Sequence, residues 1–190
     1  MKMLVGISVI MFILLSIGFV IGFVSYIPIQ KTRAKRRSDQ RQKAEETRLT
    51  EYTNKAAPVI ISETLDGEKW YLADQRGKVV VVFFWSVVCG SCVDAIPTMN
   101  SIHSKYVNRD DFLLVGVHRF PDKELIACYC STKDITWPQL HETGESAETG
   151  FFNKLDIKRT PVVCIIDREG KVKGIYIDVS EVEGELQDLL

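Results

Sequence analysis

The sequence predicts an α/β domain, a mixed sheet with helices on both faces, and three observations carry that prediction. Stretches of β and helical character alternate from about residue 60 to the C-terminus. Two strand stretches, Val79–Trp85 and Phe112–Val117, are continuously apolar, as strands buried on both faces are. The chain then closes on a hairpin, Val162–Ile166 and Val172–Ile177 around a turn at Arg168–Gly170, which adds antiparallel strands to the sheet.

Two segments precede that domain. Residues Met3 to Ile29 contain no charged side chain, a length that spans a bilayer with some tilt. The stretch is too long for a cleaved signal peptide and ends without an A-x-A-like site. Residues 1–30 are therefore expected to be an uncleaved transmembrane anchor. Residues 31–56 are polar and lack Pro and Gly, with nine basic and four acidic side chains. They read as a basic stem whose cations can also touch anionic headgroups. From Ala57 onward the balance reverses to fourteen basic and twenty-one acidic residues, although the whole chain carries only −1. An acidic domain of this kind excludes a nucleic-acid surface.

Within residues 57–190 the elements follow in order. Asp66-Gly67 between two short β-prone runs signals a hairpin. Val79–Trp85 is the central strand, followed by Cys89-Gly90-Ser91-Cys92 and a helical pattern carrying Ala95, Ile96, Met99, Ile102 and Tyr106. Asp122–Lys133 reads as a helix and Ile135–Pro138 as a short extended piece. His141–Gly150 is polar and loop-like, running into Phe151, Phe152 and Leu155. Ser180 is placed to cap a final helix ending at Leu190.

The C-x-x-C pair at the end of a central strand has chemical consequences. Helix N-termini present free N–H groups and the positive end of a dipole, so Cys89 should ionise more easily than a free cysteine. Residues three apart on a helical turn are neighbours, so Cys89 and Cys92 can close a disulfide without backbone movement. Thiol–disulfide exchange needs this pairing of an exposed, ionisable sulfur with a more buried one. Zinc is the competing reading of C-x-x-C, with Cys128 and Cys130 as the second half. That second pair is C-x-C in a helical stretch, where residues two apart diverge.

FFWSVVCGSCVDAIP resembles the F-W-A-x-W-C-G-P-C-x-x-x-x-P signature of thioredoxin-like proteins, especially the membrane-anchored TlpA/ResA type of thiol–disulfide oxidoreductase. LDIKRTPVVCIIDREGKVKGIYI is similar to the stretch of that family in which a cis-proline precedes a strand ending in I-D-x-x-G-K. The resemblance implies a thioredoxin-like fold, with Cys89 as attacking and Cys92 as resolving cysteine. It also implies a cis peptide before Pro161, Thr160 beside the sulfurs, a helix kinked at Pro97, and active-site support from Trp85, Gly90 and Ser91. Trp85 and Phe84 are core residues first. Departures are Val88 for the usual aromatic residue and Ser91 for the usual proline. Phe83 stands where thioredoxins proper carry a buried acid, and Ala95 where ResA-like proteins often carry a glutamate. Asp94, next to Ala95, should point to another side of the helix.

These readings define a membrane-tethered thiol–disulfide oxidoreductase acting on protein thiols and disulfides, with no cofactor or metal. The resemblance further implies a membrane redox partner that recycles the dithiol, and apocytochrome c or other extracytoplasmic thiols as substrates. Two alternatives from other classes remain. One is a copper metallochaperone like the Sco type, using Cys89, Cys92 and one of His103, His118 or His141, although those chaperones resemble C-x-x-x-C. The other is a non-catalytic subunit of a membrane complex that keeps the fold. Cys164 is expected to be a buried thiol and Cys128 and Cys130 packing residues. The eight Lys and Arg residues between Lys31 and Arg48 would put the domain on the cytoplasmic side. The resemblance implies the extracytoplasmic side, and that placement is adopted.

Overall fold

Val79–Phe84 forms the central strand of the sheet in the computed structural model, which describes residues 32, 33 and 35–190. All six of its residues are buried, and the reason is visible in the alternation of their contacts. Val79, Val81 and Phe83 belong to one apolar cluster, and Val80, Val82 and Phe84 to another, on the opposite face. A strand covered on both sides has no solvent face to mark with polar residues, hence the uninterrupted run.

Residues 35–49 are helical (α1). Then come β1 (Ile61–Glu63), β2 (Lys69–Tyr71), β3 (Val79–Phe84) and α2 (Gly90–Tyr106). After them lie β4 (Phe112–His118), α3 (Lys123–Thr132), β5 (Gln139–His141), α4 (Ser146–Thr149) and α5 (Phe151–Lys154). The chain ends with β6 (Val162–Ile166), β7 (Val172–Tyr176) and α6 (Val182–Leu189). The main sheet has the order β5-β4-β3-β6-β7, and β1 and β2 form a separate antiparallel hairpin. The pairs β3·β4 and β4·β5 are parallel, while β3·β6 and β6·β7 are antiparallel, so the sheet is mixed as expected.

Each face of the sheet has its own cover. The buried stripe of α2, Cys92, Ala95, Ile96, Met99, Ile102 and Tyr106, follows the i, i+3, i+4, i+7 spacing. It packs with Ile126 and Cys130 of α3 and with Val182 and Leu186 of α6 over one face. Phe151 and Phe152 of α5, Leu155 and Leu49 cover the other. The hairpin turn is the expected one, with Gly67 at φ +88° and its N–H bonded to the Thr64 carbonyl. The β6–β7 turn relies likewise on Gly170, at φ +74°.

Four features differ from expectation. A β-strand, Gln139–His141, begins just after the extended piece expected over Ile135–Pro138 and takes in His141, the first residue of the expected polar loop; it pairs with β4, and a bridge joins Thr64 to Leu140. The polar residues there are buried: Gln139, His141, Glu142 and Ser146. The compact unit begins at Glu46 rather than at Ala57. Leu49 is fully buried, Arg48 pairs with Asp156, and Ala56 bridges to Lys171, so the later part of the stretch read as stem packs on the domain. Asp178, not Ser180, begins the C-terminal helical segment. Its carboxylate accepts from the N–H and hydroxyl of Ser180 and opens a 3-10 turn that leads into α6. The transmembrane anchor expected over residues 1–30 lies outside the described residues. Among the described residues no helix is long and apolar enough to cross a membrane.

Candidate active site

β3 ends at Phe84, and the chain crosses Trp85 to Val88 before entering α2 at Gly90. Cys89 is the N-cap of that helix, with extended φ and ψ of −99° and 107°. A cap needs an acceptor for the free N–H groups of the first turn. The sulfur of Cys89 serves as that acceptor, 3.3 Å from the Cys92 nitrogen. Cys89 and Cys92 form a disulfide, with Cα atoms 5.2 Å apart. Cys89 is half-buried and Cys92 fully buried.

Two further residues named from sequence, Ser91 and Thr160, meet at the disulfide. The hydroxyl of Ser91 lies 3.5 Å from Cys89 Sγ. The Thr160 carbonyl lies 3.7 Å from the same sulfur, and the Thr160–Pro161 peptide bond is cis. Gly90 is exposed at the first position of α2, with no neighbour within 4 Å of where a Cβ would stand. Pro97 lies inside α2, where it removes one backbone donor. Val88, beside Cys89, is 73% exposed and gives the redox loop an apolar tip.

Trp85 is buried and belongs to a polar network that sequence reasoning missed. Its indole N–H donates to Gln139 Oε1 at 3.2 Å, and His118 Nε2 lies 2.8 Å from the same oxygen. An amide oxygen only accepts, so His118 carries its proton on Nε2. Nδ1 of His118 is then a bare acceptor without a hydrogen-bond partner among the described residues. Burial holds the pKa of this histidine down, to about 4, so the ring stays neutral. The rings of His118 and Trp85 are 4.4 Å apart.

A buried carboxylate exists, but it is at neither position 83 nor position 95, the two that the sequence resemblance singled out. Phe83 and Ala95 are buried apolar residues and Asp94 is exposed. Glu142 is the buried acid among the described residues. It accepts from the N–H groups of Phe151 at 2.6 Å and Phe152 at 3.0 Å, and from Ser62 Oγ at 3.3 Å. None of its bonds goes to a sulfur. Burial pushes its pKa up to about 7, against the opposing effect of those hydrogen bonds. Nothing in the local sequence marks Glu142, because its burial follows from the packing of α5 over the sheet.

The remaining cysteines are thiols. Cys164 is buried in β6, Cys130 is buried in α3, and Cys128 is exposed. Burial raises the pKa of Cys130 to about 11 and that of Cys164 further still. Among the described residues no group of three or more His, Cys, Asp or Glu side chains is placed to hold a metal ion. A groove runs beside the disulfide, lined by Trp85, Ser86, Phe120, Phe152 and Thr160 among others.

Comparison with known proteins adds to this geometry. A family model described as the AhpC/TSA family matches residues 40–175. The chain is similar to the thioredoxin-like protein YneN of Bacillus subtilis, 26% identical over 122 residues, or 64% of this chain and 69% of YneN. It is also similar to the thiol–disulfide oxidoreductase ResA of Bacillus cereus, 25% identical over 138 residues, or 71% of this chain and 77% of that protein. The bovine (Bos taurus) NHL repeat-containing protein 2 matches at 22% identity, and there the chain spans only 17% of the other protein's length. A solved thiol–disulfide oxidoreductase from Bacteroides fragilis superposes with a TM-score of 0.64 at 24% identity, covering 72% of this chain and 100% of that one. The fold is thioredoxin-like.

Proposed function

This chain belongs to the AhpC/TSA family and is a thioredoxin-like thiol–disulfide oxidoreductase, and we propose that it acts, tethered to a membrane, on disulfides of protein substrates through Cys89 and Cys92. One observation carries the reading. The two cysteines sit at the strand-to-helix junction, the first half-exposed and the second buried, close enough to be joined as a disulfide.

In the dithiol state the Cys89 thiolate attacks one sulfur of a substrate disulfide. A Cys89–substrate bond forms, the substrate S–S bond breaks, and the released substrate thiolate takes a proton. Cys92 loses its proton and attacks Cys89 Sγ, which closes the intramolecular disulfide and frees the second substrate thiol. Two electrons and two protons pass to the substrate, and a membrane dithiol partner returns the pair to its reduced state. Thr160 is placed for an extended substrate segment to pair with its backbone beside the reacting sulfurs.

Anchoring by residues 1–30 and an extracytoplasmic domain complete the proposal, with apocytochrome c among the candidate substrates. The apolar N-terminal stretch supports the anchor. Thiol titration of the full-length protein, with metal analysis, tests the chemistry. A reversible two-electron couple at Cys89 and Cys92 is expected. Tight copper binding without that couple would make the protein a chaperone, and neither property would leave a non-catalytic subunit. A membrane-impermeant maleimide tests the location. Labelling of Cys89 on mildly reduced intact cells or spheroplasts is expected, and labelling only after lysis would place the domain in the cytoplasm.

A further inference from the structure

The groove beside the disulfide is positively charged within an otherwise acidic domain. Thr160 links the two sites, since it lines the groove and its carbonyl lies 3.7 Å from Cys89 Sγ. Phe120 and Phe152 supply apolar wall, and Arg119, Lys158 and Arg159 also line it. Two nearby carboxylates are engaged elsewhere: Asp156 binds Arg48 and Lys158, and Asp122 caps α3 through the Leu125 N–H. Glu142, buried against the start of α5, feels the charge of Arg119 without forming an ion pair with it, so Arg159 is the cation of the groove that no carboxylate among the described residues offsets. Arg119 is exposed and lies over the Phe152 ring, its guanidinium carbon 4.7 Å from the centroid. Arg159 is also exposed. Among the described residues neither arginine makes an ion pair.

We propose that this groove recognises an extended acidic polypeptide. The substrate segment flanking the target disulfide carries Asp or Glu side chains that pair with Arg119 and Arg159, and an apolar side chain that packs on Phe120 and Phe152. The inference rests on the oxidoreductase reading, because that reaction brings a polypeptide backbone to Thr160. Guanidinium groups suit the task, since they offer a planar fork of donors to carboxylates. Their place in a groove that Thr160 joins to the Cys89 sulfur gives charge an effect on the rate of encounter.

The test uses the reduced full-length protein and three synthetic peptides that share one intramolecular disulfide, flanked by Asp, Asn or Lys. The rate of Cys89–Cys92 oxidation should be about fivefold higher with the Asp peptide than with the Asn peptide, the size expected of an exposed ion pair. The Lys peptide should be slowest, and added salt should compress the differences. In Arg119→Gln/Arg159→Gln the Asp-to-Asn ratio should fall to about one, the value expected once the pairing is lost. Arg159→Glu should favour the Lys peptide, a gain that misfolding cannot mimic. Equal rates for all three peptides, or an acidic preference that survives in the double variant, would overturn the groove and leave the oxidoreductase intact. Vesicles of anionic phospholipid that block exchange in a manner dependent on Arg119 and Arg159, with no acidic-peptide preference, would also overturn it. Exchange with none of the peptides would overturn the oxidoreductase reading, and the groove with it.

Discussion

The sulfur of Cys89 lies 3.7 Å from the carbonyl oxygen of Thr160, 71 positions further along the chain. The sheet register produces this proximity. β3 and β6 run antiparallel with Phe84 opposite Val162, so the loop that leaves one strand and the loop that enters the other emerge at the same edge. The first carries the cysteines, and the second carries Thr160 and Pro161.

That arrangement assigns different fates to the two cysteines. Cys92→Ser should accumulate mixed disulfides through Cys89, seen as reductant-sensitive adducts on non-reducing gels and by mass spectrometry. Cys89→Ser should trap few, because Cys92 is fully buried. Adducts on Cys89→Ser alone would reverse the roles.

Ser91 offers Cys89 a hydroxyl at 3.5 Å, in addition to the Cys92 N–H. A thiolate gains from each donor, so Ser91→Ala in the Cys92→Ser background should slow alkylation of Cys89 by iodoacetamide at pH 7. The expected factor is about two to five, the worth of one modest hydrogen bond. Ser91→Thr, which keeps the hydroxyl, should stay close to the parent rate.

Glu142 makes stability depend on pH in the direction opposite to a salt-bridged acid. Its pKa rises from 4.5 to about 7 on burial, so the folded protein holds a proton that the unfolded chain releases between those values. The favourable state is therefore fully present below about pH 4.5 and is lost as pH rises toward 7. Glu142→Gln should remove that loss. Chemical denaturation should show the variant gaining on the parent by about 3 kcal/mol between these limits. A constant difference across the range would mean that Glu142 titrates normally.

Gly116 in β4 has no room for a side chain. A Cβ there would stand 2.8 Å from Trp85 Nε1 and closer still to Gln139 Oε1. Gly116→Ala should push Gln139 away from Trp85 and His118 and lower stability by roughly 1–3 kcal/mol, the usual cost of overpacking. Thermal unfolding reads this loss. An unchanged midpoint would show that Gln139 relaxes freely.

Much of the fold was legible in the sequence because the signals are local. The apolar run Val79–Phe84, the 3.6-residue stripe from Cys92 to Tyr106 and the glycines of the two hairpin turns report their own backbone state. β5 was not legible, because Gln139 and His141 carry no apolar strand pattern. They are buried only because β4 lies on one side and the β1–β2 hairpin bridges to Leu140 on the other. The residues expected to be stem hid Leu49 for a similar reason, since a single leucine in a charged run announces no partner.

By itself the sequence determined the alternation of elements, the position of Cys89 and Cys92 at a strand-to-helix junction, and the absence of an acid at positions 83 and 95. Each depends on residue type and spacing along one short stretch. Only the tertiary structure decided that Thr160 meets Cys89, that Gln139 joins Trp85 to His118, and that Glu142 is buried. It also decided that Arg119 and Arg159 line one groove. These relationships join residues brought together by strand pairing and packing, and distance through space is not encoded in any local pattern.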